Sequence, residues 1–267
     1  MRRIILFLLL GAAAYALLAW WKSAWAIVVV LTAPWWLGPI LAKDKIRLPA
    51  GTTYDRIALS DVPAWARTHL DDTSDLLAPL GFVSACALRD ANPRWTGYIG
   101  LLERESDSTG ALALSAEFAV GDQRRRLHQV EVFTNLVGVG NITVTDFGLL
   151  PKMFPSAPTR IVERFPGVDA PRLVRALDAL VRPHAAARRV PMHLATKGGA
   201  YLSRNAVEQY EEHAAAGYVR RTADGSLYLG TWKGAIVAGW RLVPPTKQIL
   251  MARARRRANQ LLTRLGV

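Results

Sequence analysis

Between Ile4 and Leu41 the only charged residue is Lys22, and no other feature restricts the fold of this chain so sharply. One helix of that length would run roughly 57 Å, well beyond the ~30 Å hydrocarbon core of a bilayer. The sequence therefore predicts two spans, Ile4–Trp20 and Ala24–Leu41, separated near "WWKS". Trp20, Trp21 and Trp25 would gather at one membrane–water interface, where indole rings concentrate. Trp35 and Trp36, beside Pro34, fall mid-span and imply a kink or a re-entrant segment. "MRR", an apolar run and "AYA" at 14–16 resemble a signal peptide, but the following residues are again apolar, which favours an anchor over cleavage.

Charge supports that orientation. Residues 1–47 carry six basic groups against Asp44, and residues 48–230 carry 20 of each sign. Residues 231–267 carry eight basic groups and no acid. The chain is thus a neutral body with two basic ends, unlike a uniformly basic nucleic-acid binder. Arg2 and Arg3 precede the hairpin, and Lys43, Lys45 and Arg47 follow it, so positive charge places both ends and the body on the cytoplasmic side of a bacterial inner membrane. Cys86 is the one cysteine, which excludes an internal disulfide and a cysteine-rich metal site.

Three portions follow: a transmembrane hairpin anchor at 1–47, an α+β domain at 48–190, and a helix–hairpin–helix portion at 191–267. A helix is expected over 61–80, with Asp61 as cap and Pro63 in its first turn. β-rich runs occur at Phe82–Leu88, Thr96–Glu103, Ala111–Val120, Leu127–Asn135 and Asn141–Phe147, with a shorter one at Arg160–Phe165. Short turns between them predict an antiparallel sheet, and Leu173, Leu177 and Leu180 mark a helix against it. "LATKGGAYLSR" (194–204) reads as a flexible loop, followed by a helix from the cap candidate Ser203 to the stop Gly217. The last helix spans about Lys247 to Leu265.

"GYVRRTADGSLYLGTWKGAIVAGW" (217–240) has the order of a winged-helix ending. However, the preceding helix offers Glu208, Glu211 and Glu212, which a DNA backbone would repel. A β-hairpin joining two packed helices accounts for the stretch equally well, and the apolar helix after it must be buried. Lys197, Arg220 and Arg221 are the weaker candidates for contact with an anion. The stronger signal is the last helix. At 100° per residue, Leu250, Met251, Ala254, Ala258, Leu261, Leu262 and Leu265 share one arc. Arg253, Arg256, Arg257 and Arg264 share the opposite one, with Arg255 just outside the apolar edge. Such a helix either lies on an anionic bilayer or grips an acidic partner. Its bland alternative is a helix packed on its own domain with a solvated arginine face.

No chemistry is legible. The five histidines form no metal-ligand spacing, and neither a nucleophile elbow nor a phosphate loop occurs. Glu211, Glu212 and His213 are adjacent on a helix, so they point apart and read as a solvated face. "GVGNIT" (138–143) reads as a turn. No catalytic residue, metal site or cofactor is therefore assigned.

"LGF" at the start of the sheet, "VEVFTN" within it and "GSLYLGTWKGA" before an apolar helix, together with the short anchor, resemble an uncharacterised bacterial family of membrane-anchored proteins. The resemblance covers most of 70–260 and implies an architecture without an activity. The expectation is a non-catalytic inner-membrane protein whose body contacts the lipid bilayer and an unknown, acidic protein partner. A membrane-tethered DNA-binding regulator and an enzyme on a membrane-proximal substrate are the alternatives; a deep polar pocket would favour the last.

Overall fold

In the computed structural model the described residues are 10–16, 24–92, 95–120, 123–147 and 153–266. Residues 10–16 are helical (α1), and α2 spans Ala24–Lys43. The core is a seven-stranded sheet in the order β2-β3-β4-β5-β6-β7-β8. Its strands are β2 (Tyr54–Ile57), β3 (Val83–Asn92), β4 (Trp95–Arg104), β5 (Thr109–Val120), β6 (Gln123–Leu136), β7 (Gly140–Thr145) and β8 (Arg160–Arg164). Neighbours are antiparallel except β7 and β8, which run parallel at one edge. The six strands expected from alternation, Phe82 to Phe165, are all present with ends shifted by a few residues. Short β2 was not among them.

Because strand side chains alternate between faces, each strand can serve two different environments. On one face Val130 and Val132 of β6 and Ile142 and Val144 of β7 are buried. They meet α4 (Ala170–Val181), whose Leu173, Val174, Leu177 and Val181 form its buried stripe. The Asp169 side chain caps this helix by accepting from Arg172 N at 2.9 Å. Beside α4, helix α3 (Ala64–Leu77) buries Ala66, Leu70, Thr73 and Leu77 on the same face. Small residues admit it: a Cβ at Gly100 would lie 3.0 Å from Leu70 Cγ. Asp61 belongs to a preceding single turn of 3-10 helix and Pro63, not Asp61, stands at the cap of α3.

The other face carries α5 (Leu194–Ala215), which is one helix from its first residue. The loop expected at 194–204 is therefore corrected, and Ser203 caps nothing; its hydroxyl donates to Thr52 O at 2.6 Å. Gly198 and Gly199 sit inside the helix for a packing reason. A Cβ on Gly198 would stand 2.6 Å from Leu101 Cδ1 and 2.9 Å from Cys86 Sγ, so glycine lets the helix touch the sheet. α5 ends as expected, with Gly217 at φ +74°.

A three-stranded sheet, β1 (Arg47–Pro49), β10 (Leu227–Gly230) and β9 (Val219–Arg221), is antiparallel throughout. The 219–230 segment is thus a hairpin with β1 added, and Thr231 caps α6 (Trp232–Leu242) by accepting from Gly234 N at 3.0 Å. The last helix, α7, spans Thr246–Leu265.

The expected transmembrane hairpin must be corrected. Among the described residues no helix is long and apolar enough to cross a membrane. The second half of α2, interrupted in sequence by Pro34, Trp35, Trp36, Gly38 and Pro39, packs instead against α6. It crosses α6 where glycines meet: a Cβ on Gly239 would lie 2.8 Å from Pro39 N. Trp240 Nε1 donates to Trp35 O at 2.9 Å across the same contact. The "GAIVAGW" helix, expected to be buried, is covered on one side only: Gly234, Ala235, Ala238 and Gly239 are buried, while Ile236 and Trp240 are exposed. The expected link near "WWKS" and most of the first span lie outside the described residues.

A Cβ at Gly234 would come within 1.9 Å of Tyr218 O, a backbone atom that cannot swing aside. Gly234→Ala is therefore expected to destabilise the fold by about 3 kcal/mol, as overpacking against backbone does. Denaturant midpoints of the two proteins, at equal slope, check this.

Candidate functional site

The second face of the sheet changes character along its width. Under the first half of α5 it is apolar: Leu88, Ile99, Leu101 and Phe133 pack on Leu194, Tyr201 and Leu202. Across β6, β7 and β8 the same alternation delivers polar groups to that face. Gln129 and Glu131 come from β6, Asn141, Thr143 and Thr145 from β7, and Arg160 and Arg164 from β8. The second half of α5 does not close down on them. It leaves a cavity of about 330 Å³, to which α5 contributes Asn205, Gln209, Tyr210, Glu212 and His213. Leu48, Phe147, Met153 and Phe154 add apolar walls. A second cavity of about 170 Å³ shares Asn141, Arg160, Asn205 and Glu212 with the first.

Arg160 fixes the height of the roof. Its side chain is only 9 % exposed, and Nε donates to Glu212 Oε2 at 2.7 Å. One terminal nitrogen donates to Asn205 Oδ1 at 2.5 Å, the other to Asn205 O at 3.4 Å and Glu208 Oε2 at 3.5 Å. Thr159 Oγ1 adds a bond to Glu212 Oε1 at 3.3 Å. The floor is ordered as well. Gln129 Nε2 donates to Thr145 Oγ1 at 3.2 Å and to Glu131 Oε2 at 3.4 Å. Thr143 Oγ1 donates to Asn141 Oδ1 at 2.6 Å, and Asn141 Nδ2 to Asn135 Oδ1 at 2.9 Å. Asn135 Nδ2 in turn donates to Tyr201 Oη at 3.0 Å, and burial pushes that phenol up to about 12.

Electrostatics divide the charges into balanced sets. Burial lowers the Arg164 pKa, the nearby Glu131 opposes that shift, and Arg241 adds to it. The Arg164 guanidinium lies 5.4 Å from the Phe147 ring centroid. His213 is buried, its ring 5.0 Å from that of Phe154. Desolvation lowers its pKa; Glu212 opposes this and Arg160 reinforces it. Neutral imidazole is the resulting form near neutral pH. The solvated face expected of Glu211, Glu212 and His213 is therefore corrected. Glu212 and His213 line the cavity, while Glu211 turns away and accepts from Tyr228 Oη.

The residues singled out by sequence lie elsewhere. Arg253, Arg255, Arg256, Arg257 and Arg264 are exposed on α7, and Arg257 pairs with Glu163 of β8. The helix packs on its own domain: Ala258 is buried, and Leu261, Leu262 and Leu265 lie against the α4 core. Lys197 is exposed in the first turn of α5, and Arg220 and Arg221 are exposed on β9. Arg221 reaches Glu211 at 3.6 Å. Lys197 and the two arginines thus stand on separate elements, α5 and β9.

Two further constellations were open to chemistry. Ser115 Oγ lies 3.0 Å from His128 Nδ1, and the His128 ring stacks obliquely on His69 at 4.8 Å. Ser115 is wholly buried beneath α3, so its hydroxyl cannot meet a substrate. Cys86 is half-buried against α5, and burial raises its thiol pKa, which suits an inert group. Among the described residues no three His, Cys, Asp or Glu side chains gather in a metal-binding arrangement.

Comparison with protein-family models, with curated proteins and with solved structures returns no match.

Lowering of the His213 pKa means that the unfolded chain takes up that proton more readily than the folded one. Stability is then complete above the ordinary value of 6.5 and falls as pH drops through the lower, folded value. His69, lowered chiefly by burial, acts in the same direction. His213→Phe is expected to fold normally at pH 7.5 and to lose less stability than the parent between pH 6.5 and 5. Urea unfolding at each pH measures the slope.

Proposed function

We propose that this protein is a non-catalytic binding module, and that the cavity between α5 and β6–β8 takes a small, uncharged, polyhydroxylated ligand of the monosaccharide class. The observation that carries this reading is the cancellation of fixed charge inside a polar cavity. Glu131 and Glu212 stand against Arg160 and Arg164, and Arg160 is already held by Glu212 and Glu208. A ligand with net charge would find no surplus of the opposite sign, and desolvating it would cost more than its contacts return. Amide and hydroxyl groups of Gln129, Asn141, Thr143, Asn205 and Gln209 supply both donors and acceptors. Phe147, Phe154 and Met153 offer an apolar surface for the C–H face of a sugar ring. A volume of about 330 Å³ lies at the small end of ligand-binding cavities, which run from roughly 300 Å³ upward.

The arrangement favours binding over reaction. Its histidine is packed against the rings of Phe154 and Tyr218.

A second reading, contact with another protein, is supported by a separate observation. Trp36, Ile40 and Leu41 of α2 and Trp232, Ile236 and Trp240 of α6 are exposed on adjoining helices. Apolar groups gathered in this way mark interaction surfaces.

Thermal unfolding with neutral monosaccharides, their uronic acids and their amino-sugar counterparts tests the first reading. A neutral sugar at 100 times its Kd should stabilise the fold by about 2.7 kcal/mol, while the charged analogues should bind at least tenfold more weakly. Thr143→Leu, which places an alkyl group in the cavity, should abolish the effect at a stability cost of about 1–3 kcal/mol. Equal binding of charged and neutral sugars, or of parent and variant, would overturn the assignment.

A further inference from the structure

We infer that α7, flanked by α4, forms a docking surface for the phosphate backbone of duplex DNA, independent of the cavity. α7 is 20 residues long, about 30 Å. Arg253, Arg255, Arg256, Arg257 and Arg264 are all exposed on it. The neighbouring α4 and the turn after it expose Arg172, Arg175 and Arg182 as well. Few carboxylates answer them: Glu163 pairs with Arg257, and Asp169 stands 4.0 Å from Arg172. Asp178, the remaining acid of α4, is engaged by Arg104 at 2.8 Å. Among the described residues, Arg253, Arg255, Arg256 and Arg264 have no acidic partner.

Two observations choose between anionic partners. An interfacial helix must sink its apolar side into lipid. Over the second half of α7 that side is spent, because Ala258, Leu261, Leu262 and Leu265 pack on the α4 core, and in the first half Ala254 and Ile249 stay exposed. What remains exposed between the arginines is Asn259, Gln260 and Thr263, with the small Ala252 and Ala254. Guanidinium, amide and hydroxyl donors dominate this arc. Guanidinium forks bind phosphate oxygens in pairs, and amide and hydroxyl groups add single bonds to the same backbone. A 20-residue helix with cations at 253, 256 and 264 suits a duplex backbone, where phosphates recur at regular spacing. Acidic protein surfaces offer no such spacing.

The test is fluorescence anisotropy of a labelled 20-base-pair duplex with the full chain, between 50 and 300 mM salt. Vesicles of phosphatidylcholine with and without phosphatidylglycerol run in parallel. The parent should bind the duplex with a steep salt dependence. The triple variant Arg253→Gln, Arg256→Gln, Arg264→Gln should bind at least tenfold more weakly at 100 mM salt. Its slope of log K against log salt should be shallower by roughly 2.7, at about 0.9 for each phosphate that is no longer neutralised. Gln260→Glu, a single exposed change, should weaken binding several-fold with unchanged melting. That keeps the outcome clear if the triple variant folds poorly. Absence of duplex binding at 50 mM salt, or equal binding by parent and both variants, overturns the inference. Capture by anionic vesicles but not by duplex overturns it in favour of lipid.

Discussion

The cavity exists because one arginine holds a helix at a distance. At its start α5 lies on the sheet through Gly198, close enough that a methyl group would collide with Leu101 and Cys86. At its other end the contact is made by Arg160, which reaches up from β8 to Glu212 and Asn205 through its whole length. A helix tied directly at one end and through a long side chain at the other is wedged against the sheet. The space so opened is lined by whatever β6, β7 and β8 present there. Burying an ion pair is costly unless its remaining hydrogen bonds are met, and here both ends meet them. Glu212 accepts from Arg160 and Thr159, and Arg160 donates to Asn205 and Glu208.

How much of this was legible depends on which physical rule each element obeys. Strands β3 to β8 could be read from period-two alternation, since the pleat alone dictates it. The meaning of the polar phase could not. Gln129, Glu131, Asn141, Thr143 and Thr145 have the pattern of a strand with one face in water, and a helix arching over that face leaves the pattern unchanged. The usable signal was quieter: the polar phase of β7 is amide and hydroxyl with no lysine, whereas solvated strand faces are rich in charge. His213 was hidden for a related reason. Neighbours on a helix diverge by 100°, which separates Glu211 from Glu212. That divergence does not decide which direction faces a cavity.

Helix α5 and the amino-terminal segment show where local rules mislead. A Lys-Gly-Gly sequence is penalised in a helix by roughly 1 kcal/mol for each glycine. Tertiary contact overrides this, because only glycine allows the approach seen at Gly198. The same close-approach logic operates where Gly239 meets Pro39. Apolar length suggested a bilayer as the partner of 24–41, yet small residues with Trp240 bonded to Trp35 O make α6 the partner of its second half. Hydropathy records that a segment avoids water and is silent about what replaces the water.

The two surfaces of interest obey opposite electrostatic rules. Inside the cavity, arginine and glutamate are matched in number and share hydrogen bonds, so the site has shape and polarity with no surplus charge. On α7 the arginines other than Arg257 are, among the described residues, without an acidic partner and solvated, where each costs little to keep and retains its field for an approaching anion. A neutral interior suits recognition by hydrogen-bond geometry, and an unbalanced exterior suits capture by charge. β8 joins them. Arg160 on one side of the strand braces the cavity roof, and Glu163 on the other receives Arg257 of α7. One short parallel strand thus supplies a side chain to each of the two surfaces.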